Sequence, residues 1–229
     1  GLHAMGLWEG ASRRLGAISR TRYRLASWLP DGKRVLSVTD EGGEENLVIF
    51  TIDGSEEPRK IQGDFGRATD LLVASGNAST EKPRKKKKDK AKKKRAGRAA
   101  KTDHERVALT NNRHELILVD LTDGTSRVLD RSAHSRINGV AWSPDSRWLA
   151  YGFSTSERTS CIRLCQVETG QITSITEADF FDTAPSFDPA GTYLYFISLR
   201  TFNPVYDSHY FDLGFPKGSR PYLVTLQQE

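Results

Sequence analysis

Short apolar runs alternate with turn-forming clusters along this chain, and the arrangement recurs. Ala26–Val38 (ASWLPDGKRVLSV), Val140–Tyr151 (VAWSPDSRWLAY) and Pro185–Ile197 (PSFDPAGTYLYFI) each hold an apolar strand, a Pro-Asp or Asp-Pro turn with Gly or Ser, and a second apolar strand. Proline presets φ for the turn, and Asp, Ser and Gly complete it, so each segment predicts a β-hairpin. A fourth copy is split. Asp70–Ser75 (DLLVAS) and Arg106–Thr110 (RVALT) read as its two strands, with a lysine-rich tract where the turn belongs.

The second half of each unit repeats as well. Asn46–Gly54, Glu115–Gly124 and Cys161–Gly170 read as third strands that end in a turn, and Arg59–Gln62, Ser126–Leu129 and Ile172–Ile175 as short fourth strands. Pro144 and Pro189 stand 45 residues apart, and Arg106 and Arg147 stand 41 apart. Four strands at a period of ~40–45 residues predict an all-β fold of propeller blades. The 3.6-residue periodicity of a helical solenoid is absent, as are the long helices of a Rossmann unit. The expected blades are about 24–62, 67–131, 137–176 and 182–228, either part of a larger propeller or a small closed ring. Residues 1–12 read as a tail, with Gly1–Met5 set aside as a tag remnant. Arg13–Ile18 reads as a lone outer strand, able to complement the last blade, whose third strand, Pro221–Leu226, follows a long segment.

Charge sharpens this picture. Lys82–Lys101 holds 13 basic residues and one acid, leaving 21 basic and 28 acidic residues in the rest of the chain. The folded part is therefore acidic despite a net charge of +5. The tract has no aromatics and no apolar periodicity, which predicts a solvated, disordered insertion over 77–103. Nucleic-acid contact through Lys82–Lys101 is the lesser reading. No apolar run approaches the ~18–20 residues of a membrane span, and the N-terminus lacks a secretory pattern, so a cytoplasmic protein without a membrane partner is expected. Cys161 and Cys165 on one strand would lie roughly 13 Å apart, too far for a disulfide, and read as free thiols. No phosphate loop, EF-hand, Gly-x-Ser-x-Gly motif or metal-ligand spacing occurs, so no cofactor, metal or catalytic residue is expected.

Three segments resemble the tricorn proteases, in their bacterial homologues: Arg24–Glu45 (RLASWLPDGKRVLSVTDEGGEE), Thr110–Leu121 (TNNRHELILVDL) and, most specifically, Arg200–Leu226 (RTFNPVYDSHYFDLGFPKGSRPYLVTL). The resemblance implies the C-terminal part of a seven-bladed propeller in a large cytosolic serine peptidase that trims oligopeptides. Such enzymes also have a six-bladed propeller and a PDZ-like domain, and they assemble as hexamers. Their propellers channel and filter peptides, and their catalytic Ser and His lie in later domains. The implied role is non-catalytic, in peptide gating and assembly, with oligopeptides, the remaining tricorn-type domains and further copies as partners. The alternative is a stand-alone binding scaffold.

The repeat register suggests candidate binding residues. Trp28, Val73, Trp142 and Phe187 align on the first strands, where core packing is expected; Trp148 and Tyr193 are expected to pack on the second strands. Six residues before the first set stand Arg22, Arg67, Arg136 and Phe181. Three of four blades thus begin with an arginine, able to grip a peptide carboxylate in bidentate fashion. Four residues before stand Arg24, Thr69, Asn138 and Thr183, candidate channel-wall residues. The competing structural reading is that these arginines form inter-blade ion pairs.

Overall fold

A computed structural model describes residues 2–6, 12–16, 21–75, 105–201, 204–209, 211–214 and 218–226. The lysine-rich tract lies outside them. In chain order, β1 (Leu2–Met5) and β2 (Ser12–Gly16) form a hairpin. Blade one is β3 (Tyr23–Trp28), β4 (Arg34–Thr39), β5 (Asn46–Thr51) and β6 (Arg59–Ile61); blade two is β7 (Ala68–Val73), β8 (Arg106–Asn111), β9 (Glu115–Asp120) and β10 (Ser126–Arg131). Blade three is β11 (Asn138–Trp142), β12 (Trp148–Ser154), β13 (Ser160–Gln166) and β14 (Ile172–Ser174). Blade four begins with β15 (Phe181–Phe187) and β16 (Tyr193–Leu199), carries a small hairpin of β17 (Val205–Asp207) and β18 (Asp212–Gly214), and continues with β19 (Ser219–Thr225). The described residues contain no helix.

Each blade is an antiparallel meander, and consecutive blades bring their first strands together, β3 to β7, β7 to β11 and β11 to β15. Alternation along a strand sends successive side chains to opposite faces. Leu109 and Ile117 therefore pack against Leu36, Val38 and Ile49 of blade one. Their neighbours Ala108, Leu116 and Leu118 pack against Leu149, Tyr151 and Cys165 of blade three. Blade three then covers Leu194, Phe196, Tyr222 and Val224 of blade four with Ala150, Ile162 and Leu164. A sheet buried on both sides needs near-continuous apolar strands, which is why LILV and VALT read so densely. Blade two forms although its first two strands are far apart in sequence: Leu71 pairs with Leu109 and Val73 with Val107.

Polar ties cross the same seams. Trp142 Nε1–H donates to the Leu72 carbonyl at 3.0 Å, and Arg106 pairs with Glu168 at 2.7 Å. Asp130 on β10 accepts Tyr151 Oη–H at 2.7 Å and meets Arg163 at 2.9 Å. The Arg163 guanidinium also lies over the Phe153 ring. Ser160 Oγ donates to the Asp182 carbonyl at 2.6 Å, beside a single parallel bridge that joins β13 to β15.

Two expectations are corrected. Within Arg13–Ile18, Arg13–Gly16 do not stand as a lone strand, and residues 17–18 lie outside the described residues. Residues 12–16 pair with Leu2–Met5 in a β1–β2 hairpin, and β2 packs beside β5. The cause is local: a nearby antiparallel partner closes a smaller loop than a distant one. Trp28 is not core but 54% exposed, and Tyr193 is 38% exposed. The aromatic at the Trp28 position packs on the preceding blade, as Trp142 does on Leu72 and Phe187 does in the third seam. Among the described residues, blade one has only the β1–β2 hairpin on that side. Tyr193, Tyr195 and Leu199 alternate on the blade-four face turned away from blade three and remain exposed.

The first strands share one irregularity. Each carries a register shift, between Arg24 and Ser27, Ala68 and Asp70, Asn138 and Ala141, and Thr183 and Ser186. Leu25, Gly139 and Ala184 hold positive φ at three of these bulges. Bulges bend a strand and re-aim its side chains. Gly139 meets a second constraint: a Cβ there would lie 2.9 Å from Ala184 Cα. Gly139→Ala is expected to cost about 2–4 kcal/mol, from the left-handed conformation and from overpacking. Ala184→Gly is expected to be neutral or stabilising by up to ~1 kcal/mol, since Ala184 is exposed at φ +51. Urea unfolding of both variants checks this. Cys161 and Cys165 are buried free thiols, and burial pushes the Cys165 thiol up to about 11. Thiol titration at pH 8 should find Cys165 unreactive until the chain unfolds.

Candidate functional site

Where blade one gives way to blade two, the loop Gly63–Arg67 lies against the turn that follows β8. The turn holds the loop in shape. Asn111, fully buried, donates from Nδ2 to the Phe65 carbonyl at 2.9 Å and to Glu115 Oε2 at 2.6 Å. Its Oδ1 accepts the backbone N–H groups of Arg113 and Glu115 at 2.9 and 3.1 Å. Asn112 clasps Arg67 by its backbone: Oδ1 accepts the Arg67 N–H at 2.8 Å, and the Asn112 N–H donates to the Arg67 carbonyl at 2.9 Å. Arg113 forks onto Asp64 with bonds of 2.8 and 2.6 Å. Gly66 has φ +60, and a Cβ there would sit 3.1–3.2 Å from the side chains of Asn112, Arg113 and Asn111. Glu115, 2% exposed, also receives Arg131.

This loop forms one wall of a cleft of about 420 Å³ lined by Arg22, Arg24, Arg67 and Arg113, with Asp40, Glu44, Glu45 and Asp64 interleaved. Three ion pairs neutralise most of these charges. Arg22 meets Asp40 at 3.0 Å and Arg24 meets Glu45 at 3.2 Å, with Arg113 on Asp64 as described. The backbone N–H of Arg22 holds the Asp40 carboxyl below its usual range, and the Arg113 hydrogen bonds do the same for Asp64. The Arg22–Asp40 and Arg113–Asp64 pairs are too exposed to add much stability and serve to orient side chains, whereas Arg24–Glu45 is largely shielded. Among the described residues, the side chains of Arg67 and Glu44 make no ion pair, which leaves one cation and one anion facing the cleft. A carboxylate entering beside Arg67 would need no existing pair to break.

The sequence-predicted residues divide. Arg22, Arg24 and Arg67 come together in the cleft. Arg24 also donates to the Ala68 carbonyl of blade two, an inter-blade hydrogen bond and not an ion pair, whereas the Arg22–Asp40 and Arg24–Glu45 pairs both lie within blade one. Thr69 is engaged with Thr110, 2.9 Å between hydroxyl oxygens. Arg136 is exposed ahead of β11, Asn138 begins that strand opposite Gly152, and Thr183 pairs with Ile197 on β15; none of the three lines the cleft. Sequence reasoning missed Arg113, Asp64 and Glu44. For Arg113 the signal was present in the NNR triplet of Thr110–Leu121, whose consecutive turn-formers end in a cation; Asp64 and Glu44 carried none. Among the described residues no group of three or more His, Cys, Asp or Glu is placed to hold a metal ion, and no helix is long and apolar enough to cross a membrane.

Comparison with known proteins places the chain in a family. Residues 70–229 match the family described as the tricorn protease second beta propeller domain. The chain is 32% identical to a tricorn protease homolog of Saccharolobus solfataricus over 96% of its own length and 17% of that protein's. It is 32% identical to tricorn protease homolog 1 of Streptomyces coelicolor over 99% of its length and 19% of the relative's. The crystal structure of the tricorn protease superposes with a TM-score of 0.70 at 21% identity, covering 94% of this chain and 19% of that one. An oligogalacturonate lyase from Vibrio parahaemolyticus shares the fold at a TM-score of 0.58 and 13% identity. The chain thus spans about a fifth of the length of these tricorn relatives. With repeat, seams and family match in agreement, the chain belongs to the tricorn protease family, as propeller blades of its second β-propeller domain.

Proposed function

We propose that this chain is a non-catalytic propeller segment of a tricorn-type cytoplasmic serine peptidase, and that it receives oligopeptides at its rim and passes them toward domains that do the chemistry. The observation that carries the reading is the cleft at the blade-one to blade-two junction. There Arg67 presents a guanidinium free of an ion pair among the described residues, on a loop fixed by Asn111, Asn112 and Arg113. A guanidinium recognises a terminal carboxylate through two parallel hydrogen bonds, and a pre-set loop reduces the ordering cost. Assembly is supported separately. The outward face of blade four exposes Tyr193, Tyr195, Leu199 and Leu223, an apolar surface suited to the remaining domains or to further copies. The stand-alone scaffold has no observation of its own in its favour.

An oligopeptide with a free C-terminus should bind more tightly than its C-terminal amide. Arg67→Ala should abolish the difference, at a loss of roughly tenfold or more, since a hydrogen bond to a charged group is worth about 1.5–3 kcal/mol. Isothermal titration of both peptides against both proteins measures this. Equal affinity for acid and amide in the parent chain would contradict the reading, and Arg136→Ala should leave affinity unchanged. Asp40 and Asp64 have depressed pKa values, so their ion pairs stay intact through the ordinary carboxylate range and are lost only as pH falls below it. Arginine does not deprotonate. The group that titrates first is the peptide's own α-carboxylate, at about 3.3–3.7, so affinity should stay flat from pH 8 to about 5 and fall below about pH 4. A midpoint near 6.5 would point to histidine instead.

A further inference from the structure

Asp182 breaks the pattern of its repeat position. Its counterparts in the other three blades are Tyr23, Ala68 and Ile137, of which Ala68 and Ile137 are buried in seams. Asp182 is fully buried too, yet neither carboxylate oxygen has a hydrogen-bond partner among the described residues. The nearby cation, Arg200, stands 3.7 Å away, beyond hydrogen-bond reach. A buried carboxylate is costly unless a cation and hydrogen bonds compensate it. Here only the cation is present, and at a distance.

Arg200 commits its guanidinium elsewhere. Its Nε–H donates to Ser198 Oγ at 2.9 Å. Its Cζ lies 4.3 Å from the Tyr222 ring centroid and 4.7 Å from that of Phe180, with Phe196 behind at 5.9 Å. Two aromatic walls and a carboxylate floor make a slot suited to a flat cation that stacks and forks at once. Lysine ammonium would use the charge but not the shape. The slot is open to water: Phe180 is 38% exposed and the Arg200 side chain 30%. Asp182 keeps its acceptor positions unused, so an incoming guanidinium can form a paired contact that Arg200 does not make.

We propose that Asp182, Phe180 and Tyr222 form a guanidinium-recognition slot for an arginine side chain of an oligopeptide, and that Arg200 occupies the slot in the free chain as an exchangeable self-ligand. The inference rests on the reading that this chain meets oligopeptides, but the slot lies in blade four, apart from the Arg67 cleft. Its first probe, methylguanidinium, carries no carboxylate, so failure here is distinguishable from failure of the C-terminus reading.

The test uses the full chain with Arg200→Gln, which keeps a polar stem over the rings, and Arg200→Ala. Methylguanidinium should bind either variant at least tenfold more tightly than it binds the parent chain, by titration calorimetry, and should raise the melting temperature saturably. Methylammonium should do neither, and Asp182→Asn combined with Arg200→Gln should remove the response. Equal response to the two cations, persistence of the response without Asp182, or no saturable response would overturn the proposal. So would failure of both single variants to fold together with failure of methylguanidinium to restore folding. In Arg200→Gln, a peptide with one internal arginine should bind at least tenfold more tightly than its citrulline counterpart. Equal affinity would overturn the peptide assignment.

Discussion

A four-stranded blade has two faces and can cover neither by itself, so face-to-face burial between consecutive blades is the constraint on which this structure depends. Strands β8 and β9 show it most directly. Leu109 and Ile117 face one neighbour while Ala108, Leu116 and Leu118 face the other. At about 25 cal/mol per Å² of apolar area, each seam is worth far more than the ion pairs that decorate it. The polar ties have a different role. Trp142 on Leu72 and Tyr151 on Asp130 fix how one sheet sits on the next, because a buried donor left without its acceptor is costly.

The same constraint shapes the cleft and the surface around it. The first strands must approach closely where blades converge, and Gly139 against Ala184 marks how closely. Arg22 and Arg67 stand just ahead of the first strands, on the entry loops rather than in a seam. The loop Gly63–Arg67 would be a loose connector without Asn111 and Asn112; with them it is a fixed wall. Blade four departs from its siblings in the opposite sense, with the acid on its first strand and the arginine at the end of its second. Blade one carries the reverse arrangement in Arg22 and Asp40.

Much of the fold was legible in the sequence because its turns are chemically explicit. Pro-Asp and Asp-Gly clusters bracket apolar strands at a steady period, and even the split copy in blade two keeps the pattern on either side of the lysine tract. Features set by neighbours were not legible. Trp28 aligns with Trp142, but exposure depends on the preceding blade, not on the residue. The pairing of residues 12–16 depends on Leu2–Met5, whose LHAM sequence has little strand pattern. Arginine at three blade entries was visible in register, two of them in the cleft, while the acids Asp64 and Glu44 lie on loops that no repeat relates. Arg200 escaped notice because the entry position of its blade holds Phe181, and the guanidinium arrives from a different strand.

The central claim is that the junction of blades one and two is a preformed receptor for a peptide carboxylate. Hydrogen exchange of backbone amides, with and without a short peptide bearing a free C-terminus, tests it most directly. The account predicts added protection confined to residues 63–67 and 112–113, absent with the amidated peptide. Protection elsewhere, or the same protection from both peptides, would contradict it.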